Sequence, residues 1–159
     1  MEDNVRIIQF IKATNTVFKE MLDLTVSSGQ MENEGDSFIS QGVTVIVGFT
    51  GGWKGLFFLD MSQETAMKVA GILTGEDYQS VAEEEVLLSC AEVGNIISGN
   101  ATTTVNNAQQ GLNIRLTPPS VFVGEDMSIF NVRLSSRSVL MQTDAGTIKI
   151  NVAVEEGKK

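Results

Sequence analysis

The chain has no histidine. That absence removes Ser-His-Asp and Cys-His nucleophilic catalysis, imidazole general-base chemistry and every histidine-containing metal site. Cysteine is nearly absent as well. Cys90 stands alone, so no internal disulfide can form and the chain carries no sign of an oxidising compartment. Positive charge is scarce: 11 Lys and Arg face 20 Asp and Glu, a net charge of −9. This argues against a nucleic-acid backbone or an anionic membrane surface as the main partner, and is compatible with a basic patch on a partner protein. Long apolar runs are missing too. The segment from Val5 to Lys12 is broken by charge, so neither a secretory signal nor a membrane span is predicted. The expectation is a cytoplasmic protein with no nucleic-acid partner and no membrane insertion.

What is present suits one domain. A chain of 159 residues, 42% apolar, is long enough to bury a single core. The apolar residues Ile7, Ile8, Ile11, Val17, Phe18, Met21 and Leu22 recur at helical spacing and predict a first helix from about Asp3 to Leu24. Ser27 to Asp36, rich in Gly, Ser, Asn and Glu, reads as a loop. Gly42 to Phe49 is β-branched, and Trp53 to Met61 follows across Gly51-Gly52, which predicts a hairpin. Ser62 caps a second helix that Gly75 ends. A third helix runs from about Ser80 to Ile97, with Gly99 a candidate break and Ala101 to Gln110 a candidate continuation. A short strand at Ile114 to Leu116 precedes Pro118-Pro119, and three extended segments follow at Ile129–Leu134, Ser138–Gln142 and Thr147–Val154. The predicted class is α+β, helices packed on a largely antiparallel sheet, with one domain over 1–154 and a flexible tail over 155–159.

The third helix carries the chemistry. At about 100° per residue, Val86, Cys90, Val93 and Ile97 share one core stripe, and Cys90 reads as a small buried hydrophobe. Glu92 and Asn95 fall on the opposite side, three residues apart, and Leu88 lies among them as an apolar residue where the helix should be wet. An acid and an amide side by side can grip a cationic group and aim a water. Alone, such a pair is ordinary on a solvated face. Gly94 and Gly99 sharpen it, because glycine inside a helix implies close approach of another backbone or a partner. Glu83-Glu84-Glu85 suits the dipole at the helix start, and the scattered methionines show no ligand spacing, so no metal site is expected.

Glu92-x-x-Asn95, then Ser98-Gly99-Asn100-Ala101, then Pro118 after 22 intervening residues resembles the CheX and CheC family of chemotaxis phosphatases. That family's signature is Asp or Ser, three residues, Glu, two residues, Asn, 22 residues and Pro. The run from Pro118 to Glu125 and the Gly48–Asp60 hairpin leading into a Ser-capped helix resemble it too. One position departs: Leu88 stands where the signature has Asp or Ser, with Ser89 adjacent but turned about 100° away. In CheC-like members each half carries a site. Here Asn15 matches Asn95, but the position matching Glu92 is Lys12, so one site per chain is expected, as in CheX.

The resemblance implies a partner, a phosphorylated CheY-type response-regulator receiver, and a homodimeric protein. Glu92 and Asn95 would be catalytic: Glu92 pairing with the receiver's lysine, Asn95 holding a water in line with phosphorus. Leu88, Ser89, Ser98 and Gly99 would line the docking face. No cofactor is implied in this chain, the receiver supplying Mg²⁺. Two other readings remain: a non-catalytic adaptor for a receiver or flagellar-switch partner, and a purely structural dimer.

Overall fold

A computed structural model describes residues 2–130 and 135–155. In chain order the elements are helix α1 (Glu2–Leu22), strands β1 (Ser27–Asn33), β2 (Ser37–Ile39), β3 (Gly42–Thr50) and β4 (Lys54–Ser62), and helices α2 (Gln63–Thr74) and α3 (Glu84–Ala108). Strands β5 (Arg115–Leu116), β6 (Ser120–Val123), β7 (Ser128–Phe130), β8 (Ser135–Thr143) and β9 (Gly146–Glu155) complete it. The main sheet has seven strands in the order β1-β8-β9-β4-β3-β5, with β6 also on the outer side of β3, and every pairing is antiparallel. Three helices on such a sheet are the α+β arrangement that the alternation of periods predicts.

Strand alternation divides the residues between two faces. Val43, Val45, Val47 and Phe49 of β3, with Phe57, Leu59 and Met61 of β4 and Ile148, Ile150, Val152 and Val154 of β9, join Ile7, Phe10, Val17, Phe18, Val69, Val93 and Ile97 of the helices in one core. The Phe10 ring stacks on Phe49 at 5.8 Å and Phe57 at 5.1 Å between centroids. α2 is held at both ends as predicted: Thr65 N–H donates to Ser62 Oγ, and Gly75 closes the helix in the left-handed conformation. On the other face, the two-stranded ribbon of β2 and β7 covers Phe58 and Ala153 with Phe38 and Ile129.

Under that second face Asp60 is buried. Ser40 Oγ and Thr44 Oγ1 donate to its Oδ1 at 2.8 and 2.6 Å, and Gln41 N–H donates to Oδ2 at 3.0 Å. Burial raises the Asp60 carboxyl above its ordinary range, and the three partners pull it partly back. The folded chain therefore holds this proton more tightly than the unfolded one. Its contribution to stability is fully present below the unfolded pKa, about 3.9, and is lost as pH rises through the raised folded value. In Asp60→Asn the amide oxygen can still accept from Gln41 while its N–H groups face the two hydroxyls. Urea unfolding at a series of pH values should show a shallower fall in stability with rising pH for this variant than for the wild type.

Three departures from the sequence reading concern strands. Ser27–Asn33, expected as loop, is β1, an edge strand paired with β8 in which every residue is exposed. Backbone pairing, not burial, makes it a strand. β2 and β6 were not anticipated, for the same reason: both are short and only partly buried. The predicted strand Ile129–Leu134 is seen as β7 up to Phe130, and residues 131–134 lie outside the described residues. Of the predicted tail, Glu155 belongs to β9, and 156–159 also lie outside them.

Candidate functional site

α3 owes its seat to its apolar stripe. Val86, Cys90, Val93 and Ile97 are all fully buried, as the helical spacing requires. Burial pushes the Cys90 thiol up to about 12, so it is protonated and unreactive in the folded protein. At the helix start Glu83 Oε2 accepts from the N–H groups of Gln79 and Ser80, and Glu84 and Glu85 lie in the first turn, where the positive end of the dipole favours them. The helix runs unbroken through both of its interior glycines.

Those glycines serve different ends. A Cβ on Gly94 would lie 2.7 Å from Val45 Cγ1, so this glycine lets α3 settle onto β3. A Cβ on Gly99 would meet nothing nearer than Leu116 Cδ1 at 3.9 Å, an ordinary contact. The fold has no need of glycine there, although one in a helix interior costs about 1 kcal/mol relative to alanine. Its backbone is left bare toward the outside.

The outer side of α3 carries Leu88, Glu92, Asn95, Gly99 and Thr103 in steps of four, three, four and four residues, a single stripe. Glu92 and Asn95 are exposed, and Leu88 is 59% exposed. Neither Glu92 nor Asn95 spends its side chain on a hydrogen bond or ion pair with another described residue. A free carboxylate and a free amide on a rigid support are available to an incoming molecule.

Ser89 and Ser98 lie elsewhere. Both are buried, Ser98 completely. Ser98 Oγ donates to Gly94 O at 2.9 Å, one turn back along the helix, which satisfies the hydroxyl internally and lets so small a residue pack toward the sheet. Of the residues grouped as a docking face, the structure brings together Leu88, Glu92, Asn95 and Gly99 and leaves Ser89 and Ser98 on the inner side. Pro118 has a structural position. It lies between β5, which pairs with Phe49–Thr50, and β6, which pairs with Val43–Ile46. Two successive residues without N–H groups interrupt pairing along that edge. On α1, packed beside α3, Lys12 and Asn15 are both exposed.

The family model described as chemotaxis phosphatase CheX matches residues 43–143, which span β3 to the end of β8 and include all of α3. The chain belongs to the CheX family. Among solved structures, a chemotaxis protein CheX from Desulfovibrio desulfuricans superposes with a TM-score of 0.84 at 23% identity, covering 94% of this chain and 99% of that one. A chain of the CheX–CheY–BeF3–Mg²⁺ complex from Borrelia burgdorferi is 33% identical, with a TM-score of 0.82 over 94% of this chain and 97% of that one. A CheC-like superfamily protein from a Shewanella species shares the fold at 20% identity and a TM-score of 0.84, over 95% and 97% of the two chains. No curated protein matches. The architecture is thus that of CheC and CheX, and the family's activity is that of a chemotaxis phosphatase. In this CheX-family chain no described helix is long and apolar enough to cross a membrane.

Proposed function

We propose that the protein is an aspartyl-phosphate phosphatase acting on a CheY-type receiver through the outer stripe of α3. Glu92 forms an ion pair with the receiver's active-site lysine and so lays α3 across the phosphorylation pocket. Asn95 enters the pocket and orients a water for in-line attack on phosphorus. A neutral amide is no general base, so its contribution is positioning, like that of the water-orienting glutamine of small GTPases. The Mg²⁺ that neutralises the phosphoryl oxygens belongs to the receiver; among the described residues of this chain no group of three or more acidic or cysteine side chains could hold a metal ion.

The observation that carries this reading is the free pair itself: Glu92 and Asn95 exposed, unpartnered and adjacent, on a helix whose other side is locked into the core. The 33% identity to a chain of a CheX–CheY complex supports the choice of partner. The test is phosphate release from the phosphorylated receivers of the host, with and without the protein. Acceleration for none of them would end the proposal. Glu92→Lys is expected to weaken binding to the substrate receiver about 10-fold or more, because it sets like charges against each other at the docking contact. Titration against the beryllofluoride-loaded receiver measures it.

Leu88 supports a second reading. An apolar side chain 59% exposed on the docking stripe suits binding without hydrolysis, the role of an adaptor. Full-affinity binding with no phosphate release would favour it. A dimer would form through the outer edge of β6, along which no described strand pairs and which presents exposed Phe122 and Val123. Sedimentation at several concentrations should report a dimer, and a monomer throughout would refute that assignment.

A further inference from the structure

Between α1 and α3 runs a groove of about 450 Å³, lined by Gln9, Lys12 and Thr16 on one side and by Gly99, Asn100 and Thr103 on the other. It is continuous with the site, since Gly99 and Thr103 are the next positions after Asn95 on the outer stripe. At Gly99 the groove wall is bare backbone, kept open at a position where the fold would accept a methyl group.

The groove also holds an uncommitted charge. Lys19 pairs with Asp23, Lys54 with Glu155, Lys68 with Glu64 and Lys149 with Glu34. Lys12 alone among the described lysines has no carboxylate partner, and it is exposed. In a chain of net charge −9 this is a cation that the rest of the molecule leaves available. So acidic a chain repels any receiver carboxylate that must settle near α3. A local cation beside the site offsets that repulsion and fixes the register of docking.

We propose that Lys12 is a positioning residue for the receiver: its ammonium pairs with a receiver carboxylate that settles over the α1–α3 groove while Asn95 reaches the phosphoryl group. This rests on the phosphatase reading above. It assigns to α1 a part in recognition that the Glu92-x-x-Asn95 motif does not contain.

The test uses the full chain and the receiver it dephosphorylates fastest, with kcat and KM measured from low to high ionic strength. For a partly exposed ion pair, Lys12→Gln should raise KM about 3- to 5-fold at low salt. Lys12→Glu should raise it about 10-fold or more, through repulsion. In both, kcat stays at the wild-type value, Lys12→Arg restores KM, and the differences shrink as salt screens the pair. A wild-type KM for Lys12→Glu at low salt overturns the proposal, as does a loss confined to kcat. Asn95→Ala run alongside separates the two readings. If it is inactive while Lys12→Glu binds normally, only the Lys12 contact fails; if it turns over like the wild type, the role given to Asn95 fails whatever Lys12 does.

Discussion

Asn95→Ala is expected to lower the rate of receiver dephosphorylation about 100-fold, the usual loss when a positioned reactant is released. The change should come without damage to the fold. Asn95 is exposed and has no described side-chain partner, so substitution should shift stability by no more than about 0.5 kcal/mol. The receiver should still bind, because Glu92 and the apolar surface of Leu88 remain. Single-turnover phosphate release, a binding titration with beryllofluoride-loaded receiver and a thermal melt together read the three quantities. Turnover at the wild-type rate would remove Asn95 from the chemistry. Loss of binding in parallel with turnover would move it from water positioning to docking.

The second large effect lies at Gly94. Even one added carbon there sits 2.7 Å from Val45 Cγ1, and Val45 is fully buried with a branched, stiff side chain. Gly94→Leu must push α3 away from β3 or displace the core, and should cost about 3 kcal/mol, the upper end of the overpacking range. Because Glu92 and Asn95 flank this position, a shifted helix also moves the site. Gly99→Ala is the control. It meets nothing closer than 3.9 Å and improves helix propensity, so it should raise stability by about 0.5–1 kcal/mol. Urea unfolding of the two variants should therefore move in opposite directions, and equal destabilisation would show that Gly99 too is required by packing.

The 100° step already sets these glycines about 140° apart, Gly94 beside the core stripe and Gly99 on the outer one. The close approach of Val45 that makes Gly94 necessary could not be read from the sequence. What was legible there followed from periodicity. The core stripe of α3 and the outward placement of Glu92, Asn95 and Leu88 come from a 100° step per residue, and the structure keeps them. The β3–β4 hairpin and the capped α2 are equally local, written in β-branched runs, Ser62 and Gly75. Ser98 was misplaced because a small polar residue suggests a wet surface, whereas its hydroxyl finds a carbonyl one turn back and its size permits burial. β1 went unread because its register is set by β8, a strand formed more than a hundred residues later, and its own side chains bury nothing. Lys12 was legible as a mismatch to glutamate, but its lack of an ion-pair partner depends on where every other carboxylate lies.

The position of β9 has a consequence for how the molecule is made. This last described strand is an interior one, with β8 on one side and β4 on the other. On a translating ribosome, α1 emerges first while β8 and β9, the strands it packs on, are still missing, so its apolar stripe must wait, uncovered or provisionally packed, until they are made. Such long-range closure slows folding and leaves the nascent chain open to wrong partners. A chain built this way seats its first helix only after its last described strand has been made.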